Sequence, residues 1–276
     1  MRRLLIHALL FVLTVGSTIL VGGGWYCLSI MSILLAHELA HFFVSRYYRV
    51  QSSLPFFIPF PNLFGTLGAV ILMRGKIRSR KALFDIGAAG PVVGFCLTVP
   101  FIVMGLVFSQ TIEASRIEGA SFKLGNSLLF SFLERIVVGE TPEGMDVLLH
   151  PLAFAGWVGL FVTALNLMPI GQLDGGHIAY AVFGRKSRVV FVLGAIGFGV
   201  LGLFFFPGWL LPLFLLLTFG FRHPPPSDDE TELDGRRKIL GGITFLILIL
   251  SFTPVPLPDF QMNLASLIGR TVAGVL

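Results

Sequence analysis

Charge is what this sequence has least of. Of its 276 residues only 13% are Asp, Glu, Lys or Arg, while 55% are hydrophobic; a soluble domain carries roughly 25% charged residues. Too little polar surface is available to cover a water-facing globule, which excludes a soluble enzyme. Disorder is excluded too, because it needs low hydrophobicity and high net charge. Cysteine is nearly absent: Cys27 and Cys96 both sit in apolar runs and offer neither a disulfide framework nor a thiolate metal site. The formal charge of +5 lies in loops between apolar runs, so it marks topology and not a nucleic-acid partner. The composition describes an integral, multi-pass protein of a lipid bilayer.

A spanning helix needs about 20 mostly apolar residues. Leu4 to Val21 is the first such run; behind Arg2 and Arg3 it resembles a signal peptide, but its length and the poor cleavage site at Gly22–Trp25 mark a retained helix. Trp25 to about Tyr47, Ala82 to Phe108 and Leu149 to about Pro169 follow, then Val189 to Phe206, Trp209 to Phe221 and Ile239 to about Phe252. The last runs are short, so six or seven spans are expected. Leu54 to Met73 is apolar but broken by Pro55, Pro59 and Pro61, each of which removes a helical hydrogen bond. It is expected to form a re-entrant loop or short β-hairpin, the alternative being a connector at the interface. The predicted fold is therefore an all-α integral membrane protein of six or seven transmembrane helices, with a re-entrant segment after the second. It divides into a first helix (1–24), a catalytic core (25–182) and C-terminal helices (183–276) with a polar, mobile linker at 222–238.

Loop charge gives the orientation. Arg46 to Lys81 holds seven basic residues and no acidic ones; residues 109–148 hold three basic and six acidic ones; Arg185, Lys186 and Arg188 follow the fourth run. The positive-inside rule places basic loops in the cytoplasm, so the N-terminus is expected there and the acidic loop, too short and polar for a sizeable domain, outside.

Chemistry is concentrated in His37-Glu38-Leu39-Ala40-His41. Positions i and i+4 share a helix face, so both imidazoles reach one metal ion, while Glu38 beside it accepts a proton from the ion's water. Ionisable side chains at membrane depth are costly and functional by default. A catalytic zinc site usually takes three protein ligands, and Asp174 supplies the third: His37 precedes Arg46 by nine residues and Asp174 precedes Arg185 by eleven, placing both on the order of 15 Å from the basic boundary. Pro169 and the glycines around Asp174 are expected to unwind the chain and turn the carboxylate inward. Zinc, one ion, is inferred from the ligand types. Asn166 either donates to a developing oxyanion or bonds a neighbouring helix. His177 is a weaker ligand candidate; His7, His150 and His223 lie near helix ends; Asp85 is expected to pair with Lys81.

His37 to His41, followed by Asn166-x-x-Pro169-x-x-x-Leu173-Asp174-Gly175-Gly176, with Gly65-Thr-Leu-Gly68-Ala and Ala89-Gly90-Pro91 between, resembles the site-2 protease family of intramembrane zinc metalloproteases, peptidase family M50. The resemblance implies His37, His41 and Asp174 as zinc ligands, Glu38 as catalytic acid and base, and Asn166 as a substrate or oxyanion contact. It implies regulated cleavage of a transmembrane protein near the cytoplasmic side of a bacterial or archaeal cell membrane, although the PDZ-like insertion and nucleotide-sensing domain of other members are missing here. The alternatives are a metal-ion transporter and an inactive member that binds helices without cutting them.

Overall fold

The computed structural model describes residues 2–114, 123–219 and 224–260. α1 (Arg2–Tyr47) is a run of 46 residues, about 69 Å if straight and more than twice a hydrocarbon core of ~30 Å. It is not straight. Gly23 stands at φ 73°, ψ −169°, a backbone conformation cheap only for glycine. The chain folds back there: Cys27 Sγ lies 3.7 Å from the Val15 carbonyl oxygen, a pair about 18 Å apart along an unbroken helix.

Four strands follow. β1 (Gln51–Ser52) pairs antiparallel with β4 (Met73–Arg74), and β2 (Phe56–Pro59) with β3 (Thr66–Val70). The register shifts between Phe57 and Pro59, where a proline has no amide to give the ladder. The paired strands run along the first arm of α1. The His7 ring lies 3.9 Å from that of Phe56, with Nδ1 3.0 Å from the Pro55 carbonyl. Phe11 meets Phe57 edge-on, Ser17 donates to the Gly65 carbonyl at 2.6 Å, and the Tyr26 hydroxyl to that of Phe64 at 2.8 Å.

α2 (Arg80–Val107) starts where the Ser79 side chain accepts the Ala82 amide. It packs against both α1 and the later helices α4 (Pro151–Leu167) and α5 (Asp174–Phe183), so three helices that carry chemistry share one central strut. Ile102 and Leu106 of α2 are buried with Tyr26, Ile30, Trp157 and Leu160. Between α2 and α4, β5 (Gln110–Glu113) pairs with β6 (Met145–Leu148) beside α3 (Leu128–Val137). Among the described residues the remaining α-helices are α6 (Ser187–Phe204), α7 (Leu210–Phe219) and α8 (Gly235–Ser251).

Among the described residues three stretches are long and apolar enough to cross a membrane: Leu4–Tyr47, Arg80–Val107 and Asp174–Phe204. The expected run from Leu149 to Pro169 is a helix of only 17 residues, because the chain unwinds at Met168 before resuming at Asp174.

Two expectations need correction. The polar stretch 222–238 is not a free linker from residue 224 onward. The amides of Ser227 and Asp228 donate to the carbonyls of Ile77 and Arg78, both at 2.9 Å, and Asp229 accepts the Tyr180 hydroxyl at 3.0 Å. Its acidic residues face the basic stretch before α2 and the end of α5, which gives the segment partners that composition alone conceals. Nor does Asp85 pair with Lys81: the Arg237 guanidinium takes it from α8, at 2.6 Å. Residues 220–221 of the expected sixth run, and His223, lie outside the described residues.

Candidate metal centre

The second arm of α1 carries His37, Glu38 and His41, each only 5% exposed. Asp174 begins α5, in the first turn after the unwound stretch 168–173. The turn is as tight as its glycines allow: a Cβ on Gly175 would lie 1.9 Å from the Leu167 carbonyl oxygen. Any larger residue would push α5, and the Asp174 carboxylate with it, away from α4.

Three ligand atoms converge. His37 Nε2 lies 3.1 Å from His41 Nε2, and Asp174 Oδ2 lies 3.2 Å from the former and 3.3 Å from the latter. Donors about 2.0–2.1 Å from a tetrahedral zinc ion sit roughly 3.3 Å apart, so this triangle has the dimensions such a site requires. The tautomer fits as well. His41 Nδ1 lies 2.7 Å from the Ile86 carbonyl oxygen, which only accepts; Nδ1 therefore carries the hydrogen, and in the neutral imidazole Nε2 then has its lone pair aimed at the triangle. The residues present fit a metal ion, and among the described residues they form the one His/Cys/Asp/Glu group of that kind.

Around the triangle, Glu38 Oε1 is 4.0 Å from His37 Nε2, near the site without belonging to it. The backbone of Ile71, just past β3, lies beside its carboxylate. Asn166, in the last turn of α4, places Nδ2 3.4 Å from His37 Nε2. The structure thus brings together all five residues singled out from the sequence. His177 is buried on α5 but stands outside the triangle, and His150 serves as N-cap of α4.

Two neighbours escaped the sequence reading. The Ile86 carbonyl, which orients His41, is backbone and has no signature. Gly90, noted only for its motif, lies so close that a Cβ there would sit 2.1 Å from His41 Nε2 and 2.7 Å from His37 Nε2.

Residues 25–204 match the family model of Peptidase family M50. The chain belongs to that family, the one its motifs resemble. It is similar to Probable zinc metalloprotease EGY1, chloroplastic, of Arabidopsis thaliana, at 35% identity over 232 residues, covering 82% of this chain and 42% of that protein. Probable zinc metalloprotease EGY2, chloroplastic, of Oryza sativa subsp. indica is 30% identical over 243 residues, covering 86% and 43%. For EGY3 of Oryza sativa subsp. japonica, also named a probable chloroplastic zinc metalloprotease, the figures are 32% over 246 residues, 81% and 41%. The chain spans about two fifths of the length of these curated relatives. Family and apolar helices together make this a membrane-associated protein; the chloroplastic names of the relatives lend nothing to the expected bacterial or archaeal membrane.

Proposed function

We propose that this protein is an intramembrane zinc endopeptidase that hydrolyses a peptide bond of a transmembrane protein near the cytoplasmic face. The observation that carries the reading is the triangle of His37, His41 and Asp174, its histidines buried and Glu38 beside it, on helices apolar enough to lie in a bilayer. The names of the relatives support zinc as the metal, and the triangle supports a single ion.

Zinc, when bound there, supplies a Lewis acid for the scissile carbonyl and lowers the pKa of a water to about 7. Glu38 takes a proton from the attacking water and later returns it to the departing amine. Asn166, close to His37, donates its amide hydrogens toward the carbonyl oxygen as charge builds there. His41 is held in its liganding tautomer by Ile86. Burial of His37, Glu38 and His41 limits the access of bulk water to the reacting bond.

A substrate helix must unwind before its carbonyls are accessible. The strand β3 offers a template: among the described residues only β2 pairs with it, and a partly open apolar cavity of about 280 Å³ lies beside Thr66, Leu67 and Gly68, lined also by Leu34, Phe161 and Leu165. An extended peptide adding to that edge runs toward Glu38. The re-entrant reading gains support from the contacts with α1: between His7 and Ser17 the paired strands descend about 15 Å. On this reading the two arms of α1 are separate spans, and α4 and α5 make one crossing with Asp174 at their unwound joint, within a bundle of six or seven. Basic residues on 46–81 and at 185–188 put the N-terminus and the nearer opening on the cytoplasmic side.

The test is cleavage of a model transmembrane substrate by purified protein in vesicles. A chelator should abolish it, zinc should restore it, and the cut should fall within the apolar segment. Cleavage indifferent to the chelator, or none by zinc-loaded protein, overturns the reading. Gly68→Val should slow cleavage at least tenfold without changing zinc content. Gly68 holds φ at +102° and has open space before it, so valine is strained there and intrudes on the strand's free edge. An unchanged rate removes β3 from the substrate path.

A further inference from the structure

We propose that Asp85 and Arg237 are positioning residues for His41, acting through the Ile86 carbonyl. The inference rests on the reading of His41 as a metal ligand. It concerns groups beyond the triangle and, in Arg237, a residue outside the stretch 25–204 that matches the family.

Asp85 precedes Ile86 on the second turn of α2, and its carboxylate is gripped from two sides. Arg237 donates Nε to Oδ1 at 2.8 Å and Nη2 to Oδ2 at 2.6 Å, the two-pronged geometry that makes an arginine–carboxylate pair directional. The Tyr48 hydroxyl donates to Oδ2 at 2.5 Å, and Arg237 Nη2 reaches that hydroxyl at 3.4 Å. Burial, then the Asp85 carboxylate, pushes the Tyr48 phenol up to about 12, so it keeps the hydrogen that it donates. Arg237 is itself held by Asp234, which caps α8 by accepting the Arg237 amide at 3.1 Å and also pairs with Nη1.

The consequence is geometric. Tyr48 follows His41 by seven residues, about 10 Å along the axis, so α1 and α2 are joined at two points: Tyr48 to Asp85, and His41 Nδ1 to the Ile86 carbonyl at 2.7 Å. Fixing Asp85 fixes the rotation of α2 about its axis and thereby the direction of the next carbonyl. One turn further on, Gly90 leaves no clearance to the imidazoles, so a small rotation of α2 would both release Nδ1 and press backbone into the ligands. A surface ion pair has no such lever; this one sits one residue from the group that sets the tautomer of a ligand. α8 is then a brace for the metal site.

Metal affinity decides the matter. Metal-stripped protein in detergent is titrated with zinc against a chromophoric chelator, and the visible spectrum of its cobalt form is recorded. Loss of an outer-shell partner typically weakens metal binding 10–100-fold. Arg237→Gln and Asp85→Asn should each weaken zinc at least about tenfold and shift the cobalt bands. Arg237→Lys, which keeps the charge but not the fork, should fall between them and wild type. Lys238→Ala, which breaks only the exposed pair with Glu232, should match wild type. Circular dichroism checks that each variant is folded, and if Asp85→Asn does not fold, the two Arg237 variants decide. Wild-type affinity and spectrum in both, even with a lower melting temperature, overturn the proposal and leave the metal reading intact. A wild type that binds zinc no better than His41→Ala defeats that reading instead.

Discussion

Glu38→Gln is expected to cost at least about 100-fold in cleavage while leaving zinc bound in full. A positioned general acid–base is worth 10²–10⁴, and glutamine matches glutamate in shape but has no basic oxygen to accept the water's proton. The carboxylate lies 4.0 Å from His37 Nε2 and outside the triangle, so the ligands are untouched. Its amide also fits the same buried space, so packing between α1 and β3 is preserved. The variant therefore separates chemistry from binding: the chelator titration should match wild type and the substrate should survive intact. Equal cleavage by the two proteins would remove Glu38 from the reaction. Metal movement across vesicles that is unaffected by the substitution, with no cleavage by either protein, would favour a transporter, which has no need of a base beside the ion.

How far the sequence spoke for itself differs between site and fold. His37 and His41 are legible because helical periodicity converts a spacing of four into one face, and Glu38 because a carboxylate in an apolar run needs a reason to be there. Asp174 required only a count of residues to the nearest basic boundary on each side. The count expects similar depths for the two residues, and the structure brings Asp174 Oδ2 within 3.2 Å of His37 Nε2. The prolines of Leu54–Met73 likewise argued correctly against a helix and left paired strands as one of two outcomes.

What could not be read has a common cause. Backbone groups and close approaches leave no residue-type signal: the Ile86 carbonyl and the clearance at Gly90 both depend on how α2 lies against α1. Side-chain partners far apart in sequence were misjudged for the same reason. Lys81, one turn from Asp85, is the partner that local spacing predicts, yet Arg237, 152 residues away, reaches it with two nitrogens where a lysine offers one point charge. The stretch 222–238 is expected to be a mobile linker because its composition is polar, but Asp229 accepts a hydrogen bond from Tyr180 of α5.

Gly90→Ala should remove the metal where Glu38→Gln keeps it. A single methyl at this position would lie 2.1 Å from His41 Nε2, 2.5 Å from its Cδ2 and 2.7 Å from His37 Nε2, well inside contact distance of two ligands at once. Relief by moving α2 outward is blocked on the α4 side, where Gly105 already approaches the Ala153 backbone so closely that its own Cβ would lie 2.0 Å from that amide nitrogen. The imidazoles must therefore rotate, and rotation costs His41 its bond to Ile86. Zinc affinity should fall by more than the roughly 10–100-fold typical of an outer-shell loss, with cleavage lost in proportion. Gly94→Ala, one turn away, is the graded comparison: its Cβ would meet His37 Nδ1 at 3.2 Å, a contact relieved by a few tenths of an ångström, so it should retain most of its zinc. If Gly90→Ala binds zinc as wild type does, the imidazoles are not where the ligand triangle needs them. If it loses zinc while Glu38→Gln keeps it and neither cleaves, the two substitutions divide the site into a part that holds the ion and a part that moves the proton.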